Sequence, residues 1–270
     1  MERNVLLALY DREQRIDIEY PGLKKEVAGG VVRFTGPPEH EGGNFVLFSR
    51  FGDDHADAVI GEQISYYRSR QTPFEWKVYE HDSPPDLRTR LVVQGFKPRE
   101  RDVVMVMNVR GAQPRLLRSP HIKVDQLTDA AQLKSLSSLL YRVYGVDFTY
   151  LERLLGEDLR DRPYFSSIYM ATMEGEPAGV GWVQFPVRSQ FASLWGGTVL
   201  PEYRGRGIYR ALIAVRLQEA IRRGYGLLTM EAPRSCRGLA EKLGFQLLTY
   251  THSCFWQPSR APAGQTASLD

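Results

Sequence analysis

Cysteine is scarce in this chain: Cys236 and Cys254 are the only two in 270 residues. Neither forms a CxxC pair or stands near a histidine cluster, so a disulfide framework and a zinc site are both disfavoured. Both thiols are expected to be reduced and partly buried. The five histidines, His40, His55, His81, His121 and His252, have no metal-ligand spacing, and no metal is expected. Long apolar runs are missing too. Nothing approaches the roughly 18 residues of a membrane span. The run from Val5 to Tyr10 is too short for a secretory segment and is followed by charge, so a cytoplasmic location is expected. A charge excess is also absent: 35 Lys and Arg stand against 32 Asp and Glu, interspersed. A net +3 gives little reason to expect nucleic-acid binding.

What is present is the balance of a globular chain. Hydrophobic residues make up 43% and charged residues 25%, enough to bury a core. The length favours two modest domains. In the first hundred residues Val31 to Phe34, Asn44 to Phe51, Glu75 to His81 and Asp102 to Val109 read as strands. Between them, Val59, Ile60, Ile64 and Tyr67 recur at helical spacing, and Asp86 to Phe96 reads as a short helix ending at Gly95. His81 and Asp82 form no acid/base pair on this reading, since neighbours in a strand point to opposite faces and a turn is the plainer account. The stretch RGAQPRLLRSPH, Arg110 to His121, breaks every period and marks a boundary.

Beyond it a strand ends near Asp125, and Thr128 is expected to cap a helix that Gly145 stops. A hairpin turning at Glu174 to Pro177 and a strand ending in TVLP follow, then a helix from Ile208 to Gly224. In that helix Ile213, Leu217, Ala220 and Ile221 are read as the packing face, and Glu219 with Arg223 as a solvent-side pair. Two strands around a short helix close the domain, and the tail QPSRAPAGQTASLD is expected to lack fixed structure. Each half thus ends on one motif: strand, Pro, short helix, Gly-Phe, strand. The spacing from Phe96 to Met105 equals that from Phe245 to Cys254, as a repeat would give.

The most informative stretch is PEYRGRGIYRALIAVRLQEAIRRG, Pro201 to Gly224. A strand, an Arg-Gly loop and a helix start together direct several backbone N–H groups at one point, which is an anion site. Gly205 and Gly207 permit the turn and a close approach, while Arg204 and Arg206 add charge. No Walker A sequence occurs, and a dinucleotide fingerprint would need glycine where Arg210 stands, so ATP and NAD are disfavoured.

The run GGTVLPEYRGRGIYRALIAVRLQEAIRRG, followed by GLAEKLGF, resembles the core of the GNAT superfamily of acyl-CoA-dependent N-acyltransferases. The resemblance covers about the second half of the chain. It implies an α+β (mixed α/β) fold of two tandem GNAT-like domains, each a splayed mixed sheet flanked by helices. The expected limits are 1–115 for a degenerate domain without the loop, 116–257 for the active one and 258–270 for the tail. The sheet is expected to part between the strands Leu194 to Leu200 and Leu227 to Ala232. Acetyl-CoA is the implied co-substrate: Thr198, Val199 and Leu200 along its arm, the amides of Arg204, Gly205, Arg206, Gly207, Ile208 and Tyr209 on its diphosphate, and Ser235 near the arm. An amine then attacks the thioester directly.

The chain departs from the family pattern at Tyr209, where Gly or Ala is usual, and at Ala240, where many members carry a tyrosine that protonates the departing thiolate. Pro233 replaces a common Asn. Glu231 is the candidate base, and Ser235 is a candidate for either catalysis or helix capping. Glu202 reads as an exposed loop residue, and Trp182, Trp195 and Trp256 as core. The expected function is acetyl transfer to an amine of a small molecule or peptide; the rival is a CoA-binding sensor without turnover. A homodimer stays open, and a membrane partner is not expected.

Overall fold

The computed structural model describes residues 2–37, 42–118 and 121–258. His40 and the expected tail after Pro258 lie outside the described residues. In chain order the elements are α1 (Arg3–Tyr10), β1 (Lys24–Ala28), β2 (Val31–Thr35), β3 (Phe45–Ser49), α2 (Ala56–Arg68), β4 (Phe74–Tyr79), α3 (Leu87–Val93) and β5 (Lys97–Asn108). Then come α4 (Pro114–Leu117), β6 (Lys123–Leu127), α5 (Leu133–Tyr144), α6 (Thr149–Asp161), β7 (Ser166–Met173) and β8 (Glu176–Gln184). The last are β9 (Phe191–Val199), α7 (Ile208–Arg222), β10 (Leu227–Pro233), α8 (Arg237–Lys242) and β11 (Gln246–Trp256).

Contacts divide the chain into two compact units. The smaller comprises 22–100 with the segment from 252 onward, the larger 1–21 with 101–251. The smaller has strand order β1-β2-β3-β4-β11. Its core holds Tyr67, Phe74, Trp76, Leu87, Leu91, Phe96 and Trp256. The buried polar atoms of its aromatics find partners: Trp76 Nε1 donates to Ser49 Oγ at 2.9 Å, and the Tyr67 hydroxyl to the Phe34 carbonyl at 2.8 Å. Asp82 closes a turn by accepting from the Tyr79 N–H at 2.9 Å, as the turn reading requires.

In the larger unit the order is β11-β5-β10-β9-β8-β7-β6. One layer of its core joins α7 and α8 to the sheet through Ile208, Leu212, Leu217, Met230, Ala240 and Phe245. A second gathers α5 and α6 around Leu136, Leu140, Leu155, Trp182 and Leu200. The helix α7 is therefore enclosed on more than the one face that its periodicity implied. Glu219 is buried and held by Arg222 and Arg223, whereas Ile221, expected inside, is exposed.

The Gly-Phe echo is reproduced as geometry. Gly95 and Gly244 take left-handed conformations at φ of 93° and 99°, and Phe96 and Phe245 each return an N–H to a carbonyl of the preceding helix, Leu91 and Ala240. The compact units do not follow the expected limits at 115 and 116. Residues 101–115 join the larger unit because β5 pairs antiparallel with β10, from Leu227↔Asn108 to Pro233↔Asp102. Residues 1–21 join it as well: after α1 a wide π turn brings Glu13 to the Gln190 N–H at 2.7 Å and Gln14 to Ser193 at 2.8 Å. The expected breaker at 110–121 contains α4, started by Pro114 at its first turn and anchored by buried Leu116. Asp129, not Thr128, supplies the cap before α5, in a reciprocal box with Gln132. The edge strand β1 is too charged to show a period, while α6, not read from the sequence, carries Leu151, Leu154, Leu155 and Leu159 at helical spacing.

Candidate functional site

The strands β9 and β10 run parallel and pair over only four positions, from Leu227↔Phe191 to Met230↔Leu194. Beyond that point β9 continues to Val199 on β8, and β10 continues to Pro233 on β5, with no pairing between them. The sheet opens there, as expected from sequence. Leu200 donates to the Ala178 carbonyl at 3.0 Å, so its amide is spent inside the sheet and does not serve the arm of a ligand. Antiparallel alternation then turns the Val199 N–H the other way, into the opening. Thr198 is buried, with its hydroxyl 3.0 Å from that of Tyr144 at the end of α5.

The loop between β9 and α7 follows. A short 3-10 turn covers Pro201–Tyr203, and Glu202 is tied to Arg142 at 2.6 Å, as an exposed loop residue. Gly205 and Gly207 sit at φ of 76° and 88°, conformations that side chains resist. The amides of Tyr203 and Arg204 are bonded within the turn, but among the described residues the N–H groups of 205 to 210 meet no acceptor. Gly207 occupies the cap position of α7 with no side chain to satisfy them. Arg204 folds back, donating from Nε to the Val199 carbonyl at 3.3 Å, which braces the loop on the strand end.

A cavity of about 520 Å³ lies over these amides, lined by Arg115, Gly205, Arg206, Gly207, Arg210, Leu239, Lys242 and Leu243. Arg206 is paired with Glu174 at 2.6 Å, and Arg115 donates to the Lys242 carbonyl at 2.6 Å. Arg210 and Lys242 have no ion-pair partner among the described residues. The first turn of α7 carries Arg210 and no acid, so a cation stands at the positive end of a helix dipole. Such a placement costs a fraction of a kcal/mol alone and becomes favourable once an anion sits between (roughly 0.3–1 kcal/mol). Sequence reading found the loop but not Arg115, Arg210 or Lys242. Arg210 was within reach, three residues after Gly207; the other two arrive from α4 and α8.

Tyr209 turns its ring into the opening. A Cβ built on Gly197 of β9 would lie 2.9 Å from Tyr209 Cε2, and the hydroxyl donates to Met230 Sδ of β10 at 3.7 Å. Burial holds its pKa above the ordinary tyrosine value. Beside it lies Arg216, which is fully buried and has no carboxylate partner among the described residues. Its guanidinium donates to the carbonyls of Leu212, Trp182 and Trp195 at 2.9, 3.2 and 3.2 Å, while Nη2 has no partner. Burial pulls its pKa down to about 10. Glycine at 181 makes room for it, since a Cβ there would be 2.7 Å from Nη1. Arg216→Met fills a similar volume but leaves two strand carbonyls unbonded, and is expected to cost about 2 kcal/mol in urea denaturation.

The remaining expected residues are more dispersed. Glu231 is exposed, one residue past the last β9–β10 pair, with its backbone paired to Val104. Ser235 is exposed in a 3-10 turn and caps nothing; its hydroxyl has no partner among the described residues. Ala240 is buried in the core, so α8 directs no hydroxyl from that position. Trp182 and Trp256 are core, but Trp195 is 43% exposed beside the opening, against expectation, because the strand loses its partner there. Cys254 is buried with its thiol pushed up to about 11, and Cys236 is exposed. No cluster of His, Cys, Asp and Glu suited to a metal occurs among the described residues, and none of their helices is long and apolar enough to cross a membrane.

Residues 133–245 match the Acetyltransferase (GNAT) family. No curated protein matches the chain in sequence. Among solved structures, the GCN5-related N-acetyltransferase from Kribbella flavida is similar with a TM-score of 0.69 at 13% identity, over 95% of this chain and 94% of that one. A tandem GNAT protein from the clavulanic acid biosynthesis pathway gives 0.64 at 14% identity, over 92% and 87%. The GCN5-related N-acetyltransferase from Sphaerobacter thermophilus gives 0.62 at 15%, over 94% and 91%. At these identities the likeness is one of fold, and it spans nearly the whole chain. The open sheet and the loop beside it thus lie in the stretch, 133–245, that matches the GNAT acetyltransferase family, within a chain whose fold is similar to that of tandem GNAT proteins.

Proposed function

We propose that the larger unit is an acetyl-CoA-dependent N-acetyltransferase that passes its acetyl group to an amine by direct attack. The observation that carries this reading is a conjunction: unbonded amides at 205–210 under a cationic cavity, beside a sheet that opens at Leu194 and Met230. The diphosphate of coenzyme A would rest on those amides, with Arg210 and Lys242 as counter-charges. Its arm would run in the opening, where the Val199 N–H is turned toward it. The thioester supplies an activated acyl carbon; the amine nitrogen forms the new C–N bond, and the C–S bond breaks with its electron pair on sulfur. The protein's part is mainly placement and exclusion of water. Glu231, one position beyond the last pair at the mouth of the opening, is the proposed acceptor of the ammonium proton. Ser235 is proposed to bond the arm.

Calorimetry tests the first step. Coenzyme A and acetyl-CoA are expected to bind with micromolar affinity, about −8 kcal/mol. Arg210→Ala combined with Lys242→Ala is expected to weaken binding about tenfold, with a smaller salt dependence. Absence of binding heat from both ligands would overturn the reading. The second reading, a CoA-binding module without turnover, is favoured by Ala240, which is buried and gives α8 no hydroxyl at that position. Thiol release from acetyl-CoA across polyamines, aminoglycosides, amino acids and a lysine peptide separates the two: release with any of them supports the enzyme.

A further inference from the structure

We propose that the Tyr209 hydroxyl is the proton donor to the sulfur that leaves as the acetyl group is transferred. The inference rests on the proposed CoA reading of the opening and adds a residue to it.

The chemistry requires a donor. A thiolate expelled at neutral pH lies below its own pKa, about 8.5 for an ordinary thiol, so it is protonated in or just after the step. Tyr209 is placed for this by the fold. It follows Gly207 by two residues on the first turn of α7, so its Cα stands beside the diphosphate loop while its ring reaches across to the strands. The ring occupies the space that Gly197 leaves on β9, with the hydroxyl 3.6 Å from where a Cβ of Gly197 would be. On the other side Met230 belongs to the last paired position of β10. The hydroxyl therefore bridges the two strands where they begin to part, at the inner end of the channel proposed for the arm.

The bonding of this hydroxyl points the same way. Its one partner among the described residues is a thioether, a weak acceptor, at 3.7 Å. Leaving a largely buried hydroxyl so poorly satisfied is unfavourable, and a thioester sulfur or thiolate in the opening would relieve it. The neighbouring groups favour donation. Arg216 Nη2 lies 3.5 Å from the same Gly197 Cβ position and has no partner, so a cation stands close to the phenol without quenching by a carboxylate. It stabilises the phenolate formed when the proton moves, and burial keeps the phenol protonated beforehand. The other hydroxyls near the opening are less suited: those of Tyr144 and Thr198 satisfy each other at 3.0 Å.

The balance is simple. The amine nitrogen bonds to the carbonyl carbon, the C–S pair collapses onto sulfur, and sulfur takes the Tyr209 proton. Once Glu231 has taken the ammonium proton, the neutral amine attacks; its nitrogen loses one further proton as the amide forms, and the phenolate regains that proton through solvent, so the net products are the amide and free thiol.

Tyr209→Phe retains the ring and tests the hydroxyl alone. With an amine from the panel above, kcat is expected to fall about 100-fold or more, with the affinity for coenzyme A unchanged within about threefold. A second readout needs no acceptor: ultraviolet titration of the thiol of bound coenzyme A. A hydroxyl donating to the thiolate lowers that pKa, so Tyr209→Phe is expected to raise it by about one pH unit. Tyr144→Phe serves as the comparison. The proposal is overturned if Tyr209→Phe keeps both kcat and the bound-thiol pKa, or if the losses fall on Tyr144→Phe instead. Wild-type protein that binds no coenzyme A overturns the parent reading. Binding with unchanged Tyr209→Phe behaviour overturns this inference alone.

Discussion

Gly207→Asp is expected to reduce affinity for coenzyme A by about 100-fold or more, equivalent to about 2.7 kcal/mol. Gly207 stands at φ of 88° in the cap position of α7, facing the cavity, and contributes no side chain to the free amides behind it. An aspartate there has two effects. Its carboxylate is a good cap and would bond the N–H groups that follow, so the protein itself would fill the place of the diphosphate. Its charge also repels any phosphate that remains. Helix stability should change little, because a cap gain of about 1 kcal/mol opposes a left-handed strain of similar size. Gly207→Ala separates the contributions: it keeps the strain, adds no charge, and a built Cβ meets nothing closer than Arg210 Nη2 at 3.4 Å. Calorimetry with a parallel thermal melt reads both. Wild-type affinity in Gly207→Asp would mean the amides do not hold the ligand.

Much of the fold was legible because its signals are local. The loop glycines, the hairpin at Glu174 and Gly175, the stop at Gly145 and the paired Gly-Phe caps each depend on a backbone conformation that few residues adopt, and each is where the sequence indicates. The opening of the sheet was legible through resemblance. What stayed hidden is non-local. Nothing in DVVMVM says that β5 will pair with β10, because the next strand in sequence after α8 is an equally good apolar candidate for that position. The charged first residues gave no sign that Glu13 and Gln14 would be bound to the start of β9, since buried carboxylates look like surface ones until their donors are known. The burial of Arg216 was hidden for the same reason. Its periodicity allowed a solvent-facing position, and only the missing side chains at Gly181 and Gly197 make space for a guanidinium inside.

Gly196→Val is expected to cost about 4 kcal/mol or more, or to prevent folding of the larger unit. Gly196 sits at φ of 60°, and a Cβ there would be 1.8 Å from Cζ3 of Trp182, a ring buried among α5, α6 and the sheet. A β-branched residue is a genuine outlier in that conformation. The position matters beyond its sterics. The β8–β9 register shifts between Val180 and Trp182, opposite this glycine, so the strand changes its side-chain phase just where its pairing with β10 stops. That change turns Gly197 toward Tyr209 and Arg216, and Gly196 itself toward Trp182. The device that opens the sheet and the device that clears space for the proposed donor are thus one bulge. Trp182→Ala in the Gly196→Val background removes the ring but not the backbone strain, and is expected to recover only part of the loss. Urea denaturation of the four proteins in that cycle gives the coupling directly. A coupling near zero would show that Trp182 yields freely and that the glycine is kept for its φ alone.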